Sequence, residues 1–244
     1  MCFSIEMSKG ANYLENRFGA TCLKEGFEDK EKIFSLQEIL APDEFHALLG
    51  PSHVRSSTKL FKPTGDDGKI FPNYFANIII SHNHRRSITP MRYRVRPHGT
   101  EEEIPPKFNV FNARLDSLET ARTWRGLFMR KHGLVVFESF YEWVEKAGKK
   151  QLINFAPKDQ EVMWAPCLWD DWTSPHGEIH FQSFALLTDD PPREIQIMGH
   201  DRCPIFLKEE YIDEWLNPEK TSVDEIYGIL KEREKVHYQY HWAY

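Results

Sequence analysis

The chain has 244 residues, 41% hydrophobic and 28% charged, with 31 Lys and Arg against 37 Asp and Glu for a net charge of −6. This composition belongs to a folded soluble protein and not to a disordered one, and it argues against a blanket electrostatic grip on nucleic acid while leaving room for a local basic patch. The length suits one large domain with an ample core, expected over residues 2–220, with a C-terminal helix and aromatic tail at 221–244 packed on it.

The N-terminus lacks the basic and then apolar pattern of a secretory signal, and no stretch approaches the roughly 18 apolar residues of a membrane span. A cytoplasmic or nuclear protein without a membrane partner is therefore expected. Cys2, Cys22, Cys167 and Cys203 include no CxxC pair and no zinc-finger spacing, so reduced thiols, no metal and no cofactor are expected.

At the start of the chain, removal of Met1 would leave Cys2 with a free α-amine and a thiol on one residue. The amine, ordinarily at about 7.7–8.0, condenses with an aldehyde at neutral pH, and the thiol, near about 8.5, can close on the imine carbon to form a thiazolidine. Taken alone, Cys2 is a weak signal whose plain reading is an ordinary chain start. Ala11 to Phe18 and Glu31 to Leu49 carry apolar residues at helical spacing, with Asp43 as N-cap of a short helix through Leu49. Lys62 to Gly68 is a loop by its turn residues, and Phe75 to Ile80 reads as a buried strand.

The most basic stretch follows, from His82 to His98, with Arg85, Arg86, Arg92, Arg94 and Arg96 around Tyr93 and with Pro90 and Pro97 as breaks. One reading is a solvated loop and edge strand whose arginines are balanced by nearby acids. The sharper one is a groove where arginines meet phosphates and Tyr93 offers a stacking face to single-stranded nucleic acid.

Leu118 to Met129 has helical spacing and stops at Gly133. Leu134 to Phe137 is a strand that Phe140-Tyr141-Glu142-Trp143 continues, Lys146 to Lys150 is a hairpin turn, and Leu152 to Phe155 is the return strand. Val162 to Leu168 and Ile179 to Thr188 are further strands. Short helices are expected at Pro191 to Met198, Glu209 to Leu216 and Val223 to Glu234, with a strand at Ile205 to Leu207 and a docked aromatic tail at the end. Many short strands without a regular strand–helix alternation give an α+β fold, mainly an antiparallel, partly barrel-like β core with peripheral helices.

Three places carry candidate chemistry. Glu142, between Tyr141 and Trp143, is either a surface residue or an acid beside aromatic walls, and burial there would raise its pKa and fit it for acid/base work. His200 is suited to proton shuttling, or is a loop residue bonded to Asp201. Asn112 and Arg114 share one face of a strand, which suits recognition of a sugar-phosphate, although a salt bridge from Arg114 to Asp116 or Glu119 is equally economical.

The order Met1-Cys2, Asn112-Ala113-Arg114, Phe140-Tyr141-Glu142-Trp143 and His200-Asp201-Arg202-Cys203-Pro204 resembles the SOS response-associated peptidase family, the abasic-site processing proteins. Leu168-Trp169-Asp170-Asp171-Trp172, Phe184-Ala185-Leu186-Leu187-Thr188 and Glu214-Trp215-Leu216 resemble further segments of that family, whose fold agrees with the one expected here. The resemblance implies a lyase-like crosslinking protein of DNA damage repair that binds single-stranded DNA as a monomer. Cys2 would capture the ring-opened aldehyde of an abasic site as a Schiff base and then a thiazolidine. Asn112 would hydrogen-bond near the amine and the opened sugar, Arg114 would hold the adjacent phosphate, Glu142 would orient the amine and trade protons, and His200 would act as acid and base.

The alternatives are a thiol peptidase or autopeptidase with Cys2 as nucleophile and His200 as base, and a non-catalytic scaffold. The chain departs from the family in Phe3-Ser4, where Gly-Arg is usual, and in Tyr74-Phe75-Ala76-Asn77 and Arg92-Tyr93-Arg94-Val95-Arg96-Pro97, where a Tyr-Asn-x-Ala-Pro and a Trp-Gly-Leu-x-Pro stretch are usual. Cys203 stands where methionine is usual after His-Asp-Arg and reads as core.

Overall fold

The computed structural model describes residues 4–51, 59–146 and 148–243. In chain order its strands are β1 (Ser4–Glu6), β2 (Thr21–Cys22), β3 (Lys69–Ile70), β4 (Phe75–His82), β5 (Arg85–Tyr93), β6 (Asn112–Arg114), β7 (His132–Phe137), β8 (Ser139–Lys146), β9 (Lys149–Pro157), β10 (Met163–Thr173), β11 (His180–Asp189), β12 (Cys203–Pro204) and β13 (Tyr238–Ala243). The helices are α1 (Ala11–Phe18), α2 (Lys24–Ile39), α3 (Pro42–Leu48), α4 (Arg193–Ile197), α5 (Ile212–Leu216) and α6 (Val223–Lys231).

One sheet runs β13-β9-β8-β1-β3, and a larger one runs β12-β11-β10-β7-β4-β5-β2. A parallel contact between β5 and β11, Ser183 opposite Arg92 and Phe184 opposite Tyr93, joins the ends of β11-β10-β7-β4-β5 into a closed ring. The expected barrel-like β core with helices around it is what the chain forms. Its closure by a parallel pairing was not legible, because that contact joins residues about ninety positions apart through only two residue pairs.

The ring strands are apolar on both faces, which is why they read as continuous runs and not as strict alternation. Ile78, Val135, Phe137 and Phe184 pack with Ile5, Phe140, Val144, Ile153 and Phe155 of the five-stranded sheet. Ile79, Leu134, Val136, Ala185 and Leu187 pack on the opposite side under α1, α5 and α6 through Leu14, Phe18, Trp215, Ile226 and Leu230.

Several expectations change. Leu118 to Met129 is a chain of turns following a 3-10 turn at Leu115–Ser117 and not a helix. Its amides bond three or four residues back, as Leu127 and Phe128 both do to Trp124, and this buries Leu118, Trp124, Leu127 and Phe128 without a continuous α-helical ladder. The run from Leu134 to Trp143 is two strands in two sheets. The chain changes sheet at Glu138, whose amide donates to the Glu6 carbonyl and whose carboxylate accepts from the Ser8 amide and hydroxyl. Pro90 lies inside β5 and breaks nothing. Helix α3 begins after Ala41 with Pro42 at its first position, so Asp43 sits in the first turn and is not the cap. In the aromatic tail, β13 pairs along β9 from Tyr238 to Ala243.

Candidate active site

The basic strip shows most clearly what tertiary structure does to a sequence pattern. Arg92 and Arg96 are fully buried, Tyr93 is fully buried and Arg94 is nearly so, so these four residues present no groove to a phosphate. Arg92 forms a two-pronged bond to Glu103, with Nη1 2.9 Å from Oε2 and Nη2 3.1 Å from Oε1. Arg94 donates to the carbonyls of Ile104, Pro105 and Phe108, and Arg96 donates to those of Leu49 and Glu101 while its guanidinium lies 3.5 Å from the centre of the Trp172 ring. Burial pushes the Arg96 guanidinium down to about 10, against the opposing pull of Glu103. The arginines of this strip therefore serve as internal splints. Arg85 at the β4–β5 turn is exposed, and Arg86 is held by Asp213 at 2.8 Å and by the carbonyl of Phe18.

Strand β11 organises the other candidates. Its residues Leu186, Leu187 and Thr188 pair in parallel with Asn112, Ala113 and Arg114 of β6. The side chain of Asn109 accepts from the amides of Phe111 at 3.2 Å and Asn112 at 3.1 Å, a local turn that delivers the chain onto β11. Asn112 is buried, and the Tyr93 hydroxyl lies 3.4 Å from its Oδ1. Arg114 points to solvent and bonds Asp116 through Nε at 2.9 Å, so the salt bridge considered from the sequence is present at an exposed site. Asn109, Asn112, Arg114, Ser117, Trp124, Thr188, Asp201 and Arg202 line one groove of about 480 Å³.

Glu142 lies on the inward face of β8 between Phe140 and Val144, while Trp143 on the other face is 47% exposed. The carboxyl group is therefore neither on the surface nor merely beside the aromatic neighbours that flank it in sequence. Burial pushes it up to about 7, partly opposed by the hydrogen bond with His200. His200 follows α4 and Gly199, whose φ of 92° is a left-handed turn that brings the loop against β8. Its Nε2 is 3.0 Å from Glu142 Oε2.

On the other side of the imidazole, Nδ1 is 2.8 Å from the carbonyl oxygen of Arg202 and 3.2 Å from its amide. The shorter contact assigns the Nδ1 proton to the carbonyl, which leaves Nε2 facing the carboxyl group. Facing Nε2 across 3.0 Å, a carboxyl pushed up to about 7 gives or takes a proton near neutrality, which fits this position for acid and base work. Asp201 and Arg202, the next two residues, form a wall of the Asn112 groove.

Asn112 and Arg114 thus share a groove with Asp201 and Arg202, the two residues that follow His200, and His200 meets Glu142 of β8, while Cys2 lies outside the described residues. Arg202 is a groove residue that the sequence analysis did not single out, and its place directly after His200-Asp201 was the available signal. Cys203 is buried core, 3.8 Å from the Tyr238 hydroxyl, and burial drives its thiol far up, which removes it as a competing nucleophile. Among the described residues no cluster of three or more His, Cys, Asp or Glu is arranged to hold a metal ion.

The family model of the SOS response associated peptidase (SRAP) matches residues 1–242. The chain belongs to that family. Among curated relatives it is similar to the abasic site processing protein YoqW of Bacillus subtilis, at 24% identity over 84% of this chain and 82% of that one. It is also similar to the abasic site processing protein HMCES of Gallus gallus, at 22% identity over 72% of this chain and 60% of that one. In solved structures the fold recurs in a protein from Bacteroides thetaiotaomicron, with a TM-score of 0.68 at 18% identity over 100% of this chain and 92% of that one. A protein from Bordetella bronchiseptica gives a TM-score of 0.67 at 16% identity over the full length of both chains.

Proposed function

We propose that this SRAP protein processes abasic sites in single-stranded DNA by covalent capture through Cys2 as the first residue of the mature chain. The observation that carries the reading is the buried Glu142–His200 pair, 3.0 Å apart, adjoining a groove that holds Asn112, Arg114 and Arg202. Similarity to proteins named for abasic-site processing supports the substrate class. Ser4 pairs with Tyr141, the neighbour of Glu142, and Cys2 stands two positions before Ser4 in the chain, a reach of at most about 7 Å.

The chemistry asks for an acid and a base at one place. The unprotonated amine adds to the aldehyde carbon and the carbonyl pair moves to oxygen. The two protons that the nitrogen gives up are delivered in turn to that oxygen, so that water leaves and the imine forms, and the Cys2 sulfur then adds to the imine carbon while the thiol proton passes to nitrogen. The net reaction joins aldehyde and cysteine with loss of one water. His200 and Glu142 carry the protons, since a carboxyl at about 7 is half ionised near neutral pH. Asn112 binds the opened sugar, and Arg114 exchanges its exposed Asp116 partner for the adjacent phosphate. The protein acts where such DNA is found, in the cytoplasm or a nucleus.

The test is incubation with an oligonucleotide carrying one abasic site, followed by a denaturing gel. An adduct is expected from the wild type and none from Cys2→Ser. Absence of a wild-type adduct, or its survival in Cys2→Ser, sinks the reading, and cleavage of the chain's own N-terminus without any adduct would favour the peptidase reading. Glu142→Gln and His200→Ala are expected to slow adduct formation about 10²–10⁴-fold with DNA affinity nearly intact.

A further inference from the structure

The order of partners along β11 sets Tyr93 and Asn112 beside each other. Tyr93, the last residue of β5, stands opposite Phe184, and Asn112, the first residue of β6, stands opposite Leu186. Positions two apart on a strand share a face. The phenol and the carboxamide accordingly project the same way, and the Tyr93 hydroxyl reaches Asn112 Oδ1 at 3.4 Å. That separation is at the long end for an O–H···O contact, and hydrogen bonds in active sites commonly tighten only when substrate is bound.

Neither partner is free to turn aside. The Tyr93 ring is fully buried, stacked on Phe184 at 4.9 Å with 19° between planes, and met edge-on by Phe111 at 5.6 Å. The backbone leading to Asn112 is held by the Asn109 side chain and, just before it, by the Arg94 guanidinium on the carbonyls of Ile104, Pro105 and Phe108. The strip that looked like a phosphate groove thus ends in a rigid support under the Asn112 side chain.

A carboxamide has an acceptor end and a donor end, and rotation by half a turn exchanges them. A fixed hydroxyl that donates to the oxygen decides which end faces the other way. We propose that Tyr93 is a positioning residue whose hydroxyl donates to Asn112 Oδ1 and so turns Asn112 Nδ2 toward the groove, as a donor to the aldehyde oxygen of the opened deoxyribose. The inference rests on the abasic-site reading and adds to it the group that aims Asn112. When the Cys2 amine adds to the aldehyde carbon, the carbonyl electron pair moves to that oxygen, and an N–H already aimed at it stabilises the developing charge until a proton arrives. In this role Tyr93 acts through Asn112 and gives up no proton.

The experiment measures the rate of adduct formation at saturating abasic-site oligonucleotide for the wild type, Tyr93→Phe, Asn112→Ala and the double variant. Phenylalanine keeps the ring and its stacking. Tyr93→Phe is expected to slow the saturating rate about five- to tenfold, the worth of one neutral hydrogen bond, with the half-saturating DNA concentration within about twofold of wild type. Asn112→Ala is expected to slow it further, and the double variant to be no slower than Asn112→Ala alone.

A wild-type rate in Tyr93→Phe, or losses that multiply in the double variant, would overturn the proposal. A second readout needs no activity: the side-chain amide NMR signals of Asn112, assigned by their loss in Asn112→Ala, should shift in DNA-free Tyr93→Phe. If the wild type forms no adduct, the abasic-site reading fails by itself, and an unshifted Asn112 signal then decides separately against the link to Tyr93.

Discussion

Arg92, Arg94 and Arg96 on one side, and Arg114 and Arg202 on the other, carry the same group in opposite surroundings. The first three are buried around the single carboxylate of Glu103, with Arg92 in a two-pronged bond and the other two spent on backbone carbonyls. The second two line an open groove, where Arg114 keeps an exposed acidic partner that a phosphate can replace. A guanidinium supplies five donors in a fixed fork, so it serves equally as an internal splint or as an anion contact. What separates the two uses is whether the fold seals the arginine in with acceptors or leaves it facing water.

The contrast breaks first at Glu103. Glu103→Ala leaves three buried guanidinium groups without their carboxylate and is expected to cost about 3–5 kcal/mol of unfolding free energy, measured by chemical denaturation. A loss below about 1 kcal/mol, the scale of a surface pair, would show that this cluster is hydrated like the groove arginines.

Glu142 sharpens the comparison from the acidic side, as a buried carboxyl that meets the imidazole of His200 at 3.0 Å. Its pKa is raised from 4.5 to about 7 by burial, so the native state holds a proton that the unfolded chain releases. Its contribution to stability is complete below pH 4.5 and is lost as the pH rises through about 7. Glu142→Gln should therefore flatten the decline in unfolding free energy across that window, by at most about 3 kcal/mol. A decline as steep in Glu142→Gln as in wild type would assign the pH dependence to another group.

A smaller effect is expected at Gly199, whose φ of 92° admits a side chain only under strain and whose added Cβ would lie 3.6 Å from the Glu145 carbonyl oxygen. Gly199→Ala should lower stability by about 1–2 kcal/mol and slow adduct formation more than it weakens DNA binding, because it displaces His200 and not the groove. Unchanged kinetics would mean that the loop holds His200 by other contacts.

The smallest change in stability belongs to the groove. Arg114→Ala and Arg202→Ala should each alter unfolding by no more than about 0.5 kcal/mol. In DNA-binding titrations each should lower the dependence of log affinity on log salt by about 0.7, the value for one phosphate contact to a single strand. A salt slope unchanged by either variant would place the phosphates elsewhere.

Much of the fold was legible because local rules and global packing agree in it. The strands at Phe75 to Ile80, Val162 to Leu168 and Ile179 to Thr188 are apolar runs that the fold buries on both faces, and the short helices at the C-terminal end kept their places. Leu118 to Met129 misled because buried Leu118, Trp124, Leu127 and Phe128 have helical spacing, while the same burial is met by successive turns. In the candidate site, the residue types and chain order of Asn112, Glu142 and His200 were readable, but their mutual distances were not. Arg202 was quoted only as part of the His200 motif, because the groove it lines exists only in the fold.

The sequence by itself determined the β-rich class, the helices at the periphery and the residues able to carry acid/base chemistry, since these follow from side-chain periodicity and functional groups. Only the tertiary structure decided which charges are buried. Glu103 is eleven residues from Arg92 in the chain and 2.9 Å from it in space, and Glu142 of β8 meets His200 of the loop before β12. Burial and ionisation depend on what the rest of the chain packs around a group, and neighbours in sequence do not supply that enclosure.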